Sequence, residues 1–273
     1  MIGNDEHGQG HADSVVRSQR WRTVANSAGY VALELRAGRS VLDVGCGPGT
    51  ITVDLARTVA PGAVVGLDRS PAIVDEARAN ACGLDNVHFR VGDVTALPFD
   101  DASFDIVHAH AVLMHVSDPV AALREMLRVT RPGGVVAARD ADYGGAMWWP
   151  ADPWLERWRD VYVAVAEDNG ADPFAGRRLL ARAHEAGARD VTPSASIWCH
   201  STPDQRAWWG GMWADRILDS KIAEQATGGG HATRANLERI SQAWRAWAVN
   251  PDGWFAIPHG EIVCHRPVPA RIT

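Results

Sequence analysis

The chain has 273 residues, of which 46% are hydrophobic and 22% are charged, and its formal net charge is −6. This length can bury a sizeable core and exceeds that of a minimal doubly wound sheet, so one elaborated globular domain is expected. The acidic balance argues against a nucleic-acid partner, because a phosphate-binding surface usually carries a basic excess. No run approaches the roughly 18 consecutive apolar residues that a membrane span requires.

The remaining composition bears on compartment and on metals. The first 14 residues are polar and lack the apolar segment of a secretory signal, and the four cysteines show no C-x-x-C pair. We therefore expect free thiols and a cytoplasmic location. His108 and His110 stand two residues apart on a predicted strand and are expected to face opposite sides of it, so no protein-bound metal is predicted.

The segment 41–50 reads VLDVGCGPGT, a short apolar run with an acid, a glycine-dense loop and the beginning of an amphipathic run. This order predicts a strand, a tight turn and a helix. Gly45, Gly47 and Gly49 can adopt backbone angles closed to other residues and allow a ligand to approach the main chain. Their G-x-G-x-G spacing differs from the dinucleotide fingerprint, and a carboxylate at Asp43 would repel a pyrophosphate.

Two further acids follow predicted strands at regular intervals. A second strand over Ala63–Leu67 ends at Asp68, about one strand-helix-strand step after the first, where a carboxylate can accept both ribose hydroxyls. A third strand over Val87–Val91 ends at Gly92-Asp93-Val94. A fourth begins at Phe104, and the turn Arg131-Pro132-Gly133-Gly134 precedes a fifth.

Taken in order over Arg39 to Ala138, these motifs resemble class I S-adenosylmethionine (AdoMet) dependent methyltransferases of the ubiquinone/menaquinone-biosynthesis type (methyltransferase domain 11/25). The resemblance implies an α/β fold with a doubly wound, seven-stranded, mostly parallel sheet. It implies AdoMet as cofactor and S-adenosylhomocysteine as product, with Asp93 on the adenine amino group and His110 facing the methionine part. The cofactor-binding residues that it suggests are Asp43, Gly45, Cys46, Gly47, Gly49, Asp68, Arg69, Gly92, Asp93, Val94, His110 and Ala111.

Two other functions stay open at this point. An NAD-linked oxidoreductase would share the sheet and the ribose acid Asp68, but it requires the other glycine spacing and gives no role to Asp93. A descendant of the fold that keeps AdoMet or its demethylated product, and binds or rearranges a small ligand without methylating it, would carry the same loop.

Two tryptophan-rich insertions follow the cofactor-binding part. They hold ten of the 12 tryptophans and are expected to be helical lids over the acceptor site, one after the fifth strand and one between the last two strands. Trp148 and Trp149 are predicted walls of the acceptor pocket. Trp244 and Trp247 share a helix face and are expected in the core or in a homodimer interface. The predicted parts of a single 1–273 domain are a helical cap (1–38), the AdoMet-binding core (39–139) and the insertions (140–176 and 199–257).

Methyl transfer requires alignment of acceptor, methyl group and sulfur, and an oxygen or acidic carbon acceptor also benefits from a base. The ends of the fourth and fifth strands offer His110, His115, Asp140, Asp142 and Tyr143. His115 is the first choice because it resembles a histidine common after the fourth strand in this type of methyltransferase; a purely structural role in its loop is an open alternative. Asp142 and Tyr143 are the second choice. The expected acceptor is a small apolar or aromatic molecule, methylated on oxygen or carbon.

Overall fold

A computed structural model describes residues 21–268 of the chain. They divide into two compact units, each described by itself. We call the first the core unit; among the described residues it comprises 21–141, Ala175–Ser196 and 259–268. The second, the aromatic unit, comprises Asp142–Phe174 and Ile197–Pro258 among the described residues.

Eight strands occur within residues 21–268. They are β1 (Val41–Val44), β2 (Val64–Asp68), β3 (Val87–Val91), β4 (Phe104–His110), β5 (Thr130–Ala141), β6 (Met147–Trp149), β7 (Asp190–His200) and β8 (Trp254–His265). The sheet order is β3-β2-β1-β4-β5-β8-β6, with β7 also paired to β8. The first five strands are parallel to one another, and β8 is antiparallel to β5.

The same residues form nine α-helices. They are α1 (Val24–Ser27), α2 (Thr50–Val59), α3 (Pro71–Asn80), α4 (Pro119–Val129), α5 (Pro153–Asp168), α6 (Ala175–Glu185), α7 (Pro203–Asp219), α8 (Lys221–Gly228) and α9 (Arg234–Val249). Proline at the first helical position begins α3 and α4, because that position needs no amide donor. No helix in this part of the chain is both long and apolar enough to cross a membrane.

Helices cover the core-unit sheet on both faces. Apolar residues of α2 and α3 pack with Val41, Ile106 and Val135 on one face. Residues of α4 and α6 pack with the alternate strand positions, such as Leu42 and Val107, on the other. Side chains alternate across a strand, so each strand contributes to both layers of core. The prediction of a doubly wound, mostly parallel sheet is confirmed.

The predicted N-terminal cap falls partly outside the described residues. Of the expected helical cap over residues 1–38, the part before residue 21 is not described; the remainder contains α1 and a 3₁₀-helix over Gly29–Glu34. Thr23 caps α1, because its hydroxyl accepts from the Asn26 amide and the Asn26 side chain accepts from the Thr23 amide.

The aromatic unit contains β6, α5, α7, α8, α9 and the first residues of β8. Helix α9 packs against α7 and α5. At their centre, the Trp158 ring lies 4.7 Å from that of Trp213 and 4.9 Å from that of Trp244, both edge to face. We call Trp158, Tyr162, Trp213, Trp244 and Phe255 the aromatic cluster. Trp244 and Trp247 are buried within this unit.

Three details differ from the sequence predictions. The sheet has an eighth strand, because residues 147–149, expected in a helical insertion, pair with Trp254, Phe255 and Ala256 of β8. Strand β5 continues through Asp140, which was assigned to the first insertion. The expectation that His108 and His110 face opposite sides was wrong: both lie in β4, and side chains two residues apart on a strand share a face.

Candidate active site

The glycine-dense loop connects β1 to α2 at the carboxyl edge of the sheet. Gly45, Gly47 and Gly49 have φ angles of 62°, 55° and 81°, in the left-handed region that favours glycine. A Cβ atom on Gly45 would lie 2.4 Å from a methyl carbon of Val112, just beyond the end of β4. The loop therefore depends on glycine both for its conformation and for its close approach to the segment after β4.

Asp68 ties this loop to the end of β2. One oxygen of its carboxylate accepts from the Gly47 amide at 3.1 Å, and the other accepts from the Ser70 amide at 3.0 Å. The side chain is half-buried. Each carboxylate oxygen can accept more than one hydrogen bond, so the pair can still bind neighbouring hydroxyl groups of a ligand. This geometry suits the predicted role of Asp68 at a ribose.

Asp43 has a different environment. Its buried carboxylate accepts from the Thr52 hydroxyl at 2.6 Å and lies 2.8 Å from Nδ1 of His108. Both oxygens are thus engaged by the beginning of α2 and by β4. Through these contacts Asp43 joins β1 and α2, which flank the glycine loop, to the neighbouring strand β4. Its role as a direct cofactor ligand stays a prediction.

Asp93 lies in the exposed turn after β3. Its Oδ1 accepts from both the amide and the hydroxyl of Thr95 at 2.7 Å, and these bonds lower the pKa of the carboxyl group. Within residues 21–268, Oδ2 makes no further hydrogen bond, so the ionised group can accept from a ligand N–H. Gly92 donates to the Asp68 carbonyl at 3.0 Å, which sets the two acidic turns side by side.

The neighbouring predicted residues surround these turns. Cys46 is buried in the loop and its amide donates to the Leu67 carbonyl at 3.0 Å; burial raises the pKa of its thiol. Val94 is buried in the core beside β2, whereas Arg69 is exposed. Cofactor contacts for all three stay predictions.

His110 and Ala111 form the end of β4. His110 is buried, and burial first, then the charges of Arg22 and Arg139, hold its pKa well below the usual value. Ala111 has a φ of 53° and donates its amide to the Arg139 carbonyl at 2.8 Å. A left-handed alanine is uncommon, and here it turns the chain sharply beside β5.

The three predicted catalytic residues fall into different settings. His115 is half-buried in the turn after β4, and its amide donates to the Val112 carbonyl at 2.9 Å. Asp142 accepts from the Gly144 amide at 3.1 Å and caps a 3₁₀-helix in the aromatic unit. The Tyr143 ring is buried 4.1 Å from that of Tyr162. These contacts give Asp142 and Tyr143 local structural roles, and the catalytic role of all three stays a prediction.

The predicted pocket residues Trp148 and Trp149 lie in β6. The Trp148 ring is half-buried, stacks on Phe255 at 6.5 Å and has the Arg159 guanidinium 5.4 Å from its centroid. Trp149 is 60% exposed, and its carbonyl accepts from the Trp247 indole at 3.0 Å. Their contact with an acceptor stays a prediction.

Sequence reasoning missed a buried polar row on one face of the core-unit sheet. Arg139 donates to Glu261 at 3.2 Å and to Ser196 at 3.1 Å, and Ser194 donates to Glu261 at 2.8 Å. His110 lies opposite Arg139 in register, and Arg139 lies opposite Glu261. The available signal was the polar residues at the carboxyl ends of two otherwise apolar strands, His108 and His110 in β4 and Arg139 in β5.

Comparison with known proteins identifies the family. A family model described as "Methyltransferase domain" matches residues 35–182. An uncharacterised methyltransferase of Schizosaccharomyces pombe is 34% identical over 91% of this chain and 92% of its own. The chain belongs to the methyltransferase family. A demethylmenaquinone methyltransferase of Staphylococcus aureus is 41% identical over 103 residues, which are 37% of this chain and 43% of the relative.

A solved structure agrees with this assignment at the level of fold. The YcgJ protein from Bacillus subtilis has a TM-score of 0.58 and 22% identity, covering 89% of this methyltransferase and 99% of its own chain. The methyltransferase uses AdoMet, as predicted. Its residues fit that cofactor. The glycine loop has no room for a Cβ atom at Gly45. The Asp68 carboxylate can accept hydrogen bonds from hydroxyl groups, and the ionised Asp93 can accept one from an amino group.

Proposed function

We propose that this methyltransferase methylates an oxygen or carbon atom of a small apolar or aromatic acceptor. The observation that carries the proposal is the surface formed by β6 and the residues of β8 that pair with it in the aromatic unit. There Met147, Trp149 and Trp254 are 47%, 60% and 39% exposed, and Trp149 pairs with Trp254 in register. Clustered large apolar side chains at a surface favour binding of an apolar partner, and indole rings suit flat ones.

When bound, AdoMet supplies an activated methyl group on a positively charged sulfur. The chain's part is binding and alignment. We assign the cofactor's ribose to Asp68, its adenine amino group to Asp93 and its methionine part to the glycine loop with His110 and Ala111. Among the groups that the sequence offers for removing a proton from the acceptor, His115 is its first choice and Asp142 and Tyr143 are its second.

Incubation with methyl-labelled AdoMet tests the reaction. The acceptor panel should contain phenols, quinols and acidic carbon acids, with primary amines and a peptide pool of matched size as comparison. We expect label in the phenol, quinol or carbon products and little in the amines. Bound AdoMet with no labelled product from any acceptor would favour the non-methylating alternative, in which the cofactor or its demethylated form is only bound.

A pair of variants tests the role of the apolar surface. Trp149→Ser should raise the KM for an aromatic acceptor about tenfold, because it removes a large apolar contact, and leave the affinity for AdoMet unchanged. Leu33→Ser in the core unit, where the side chain is 87% exposed, is the matched control and should leave that KM unchanged. Equal KM values for Trp149→Ser and the parent protein would remove Trp149 from the acceptor site.

The proposed ribose contact gives a further prediction. Asp68→Asn should weaken S-adenosylhomocysteine binding by about 1.5 to 3 kcal/mol, the scale of a hydrogen bond to a charged group. Asp75→Asn is the control, because Asp75 is an exposed acid paired with Arg78 at 2.7 Å on α3. Calorimetry with an analogue that lacks the ribose hydroxyls separates ligand binding from loop support. If Asp68 binds the ribose hydroxyls, the parent protein should bind the analogue much more weakly than S-adenosylhomocysteine, and Asp68→Asn should show a smaller difference between the two ligands. An equal difference in the parent protein and the variant would mean that Asp68 only supports the loop.

The single-domain organisation, the cytoplasmic location and a homodimer through the tryptophan-rich helices also belong to the proposal. Trp244 and Trp247 are buried inside the aromatic unit, so a dimer would have to use other residues of these helices, such as the 80% exposed Val249. Sedimentation velocity of the parent protein and of Val249→Glu checks this. A monomer at all concentrations would contradict the dimer.

A further inference from the structure

Two buried imidazole rings lie together at the carboxyl edge of the core-unit sheet. His110 ends β4 and His259 lies in β8, opposite Ala141 of β5. Their ring centroids are 6.2 Å apart and their planes differ by 18°. The side chains are 4% and 1% exposed. We call these two residues the histidine pair.

Positive charge and a neutralised acid surround the pair. Arg22, His108 and Arg139 act on His110 together with His259 itself, and all of them disfavour its protonation. Glu261, the acid in the same row, accepts from Arg139, Ser194 and Ser196, so the Arg139 guanidinium balances its charge. A neutral imidazole keeps one ring nitrogen with a lone pair that can accept a proton.

The histidine pair lies near the proposed binding site of the cofactor, which carries the methyl group. Val112, two residues after His110, contacts the space where a Gly45 Cβ would lie, so the end of β4 borders the glycine loop. Resting on the proposed function, we infer that His110 accepts the acceptor's proton during methyl transfer and that His259 is a positioning residue that holds the His110 ring. His110 is then a catalytic residue; sequence reasoning counted it among the candidate bases but preferred His115 and gave His110 a place in cofactor binding.

The step balances in atoms and charge. The acceptor's O–H bond breaks and its proton passes to a ring nitrogen of His110, while the oxygen's electron pair forms a bond to the methyl carbon. The carbon–sulfur bond breaks and its electron pair stays on sulfur. One positive charge leaves sulfur as one arrives on His110, so the buried site does not gain net charge. Before the methyl group is transferred, the positive charges of Arg22 and Arg139 disfavour protonation of His110.

Two cofactor analogues test this exchange of charge without an acceptor. S-adenosylhomocysteine has a neutral sulfur, whereas sinefungin carries an ammonium group in place of the methyl sulfonium. With ¹⁵N-labelled histidine, NMR titration should give a midpoint for His110 that is roughly half to one pH unit lower with sinefungin, the scale of one added charge near a titratable group in a protein. The exposed His88 on β3 is the internal control and should titrate alike in both complexes. Identical His110 midpoints would overturn the inference.

Variants of the pair supply the kinetic test with a phenolic acceptor found active in the labelling panel. His110→Gln should lower kcat about 100-fold or more and abolish the loss of rate as the pH falls, because a protonated imidazole cannot accept a proton. His259→Gln should shift the pH midpoint of kcat, whereas His88→Gln should not. An unchanged pH profile in His259→Gln would remove its positioning role. The same loss of rate in His115→Gln, with His110→Gln near parent activity, would assign the proton to His115 instead.

The two hypotheses fail differently. If no acceptor in the panel is methylated by the parent protein, the proposed function fails, while the NMR titration still reports on the histidine pair. If the parent protein methylates a phenol but the His110 midpoint is the same with both analogues, the base assignment fails and the methyl transfer stands. The NMR arm uses the parent protein, so it does not depend on whether a variant folds.

Discussion

Gly45→Ala should weaken AdoMet binding about 100-fold or more, or roughly 2.7 kcal/mol, while the sheet still folds. Two effects combine at this residue. Its φ of 62° lies in the left-handed region, which costs a residue with a Cβ about 1 to 2 kcal/mol. The new Cβ would also lie 2.4 Å from a Val112 methyl carbon, so the loop or the segment after β4 must move. Calorimetric titration with AdoMet, beside far-ultraviolet circular dichroism, measures both outcomes.

Gly83→Ala separates backbone strain from the contact. Gly83 has a φ of 87° and no atom within 4 Å of its potential Cβ, and it lies after α3 in the same unit. This variant should lose about 1 to 2 kcal/mol of unfolding free energy and keep the parent affinity for AdoMet. If Gly45→Ala behaves like Gly83→Ala, with altered stability and unchanged affinity, the glycine loop does not form the cofactor site in the proposed way.

Local patterns in the sequence predicted the cofactor-binding half of the sheet closely. The third strand was predicted at Val87–Val91 and has those bounds; the second was predicted to end beside Asp68, where β2 ends. Each such prediction needs only an apolar run, a turn and a proline or glycine within about ten residues. Asp68 and Gly47 were each assigned to the cofactor, and the structure adds a hydrogen bond between them, because the ends of adjacent parallel strands lie at one edge.

Contacts between distant residues could not be predicted in the same way. Asp43 and His108 are 65 positions apart, and Arg139 and Glu261 are 122 apart. No local signal states that either pair will meet, since this depends on strand order and register. Strand β6 was not predicted for a related reason: its three residues form a strand only because β8 pairs with them. The histidine pair shares this origin, as it requires β5 to lie between β4 and β8.

Glu261→Ala should lower the free energy of unfolding by about 3 to 5 kcal/mol, the largest loss of stability expected for this chain. The Arg139 and Glu261 side chains are 1% and 5% exposed, and burial lowers the pKa of Arg139 to about 10. Removing the acid takes its carboxylate from a guanidinium deep in the core unit that also donates to Ser196. Chemical denaturation monitored by tryptophan fluorescence measures the loss.

A double-mutant cycle shows how much of that loss belongs to the pair. Arg139→Met and Glu261→Ala should each be strongly destabilising, because each leaves one charge buried without its partner. The double variant removes both charges and should be less destabilised than the sum of the two by about 2 to 3 kcal/mol. Arg78→Met with Asp75→Ala, an exposed pair on α3, should show a coupling of at most about 1 kcal/mol. If the losses of unfolding free energy at Arg139 and Glu261 are additive, then the serines, and not the ion pair, stabilise the buried polar row that contains His110.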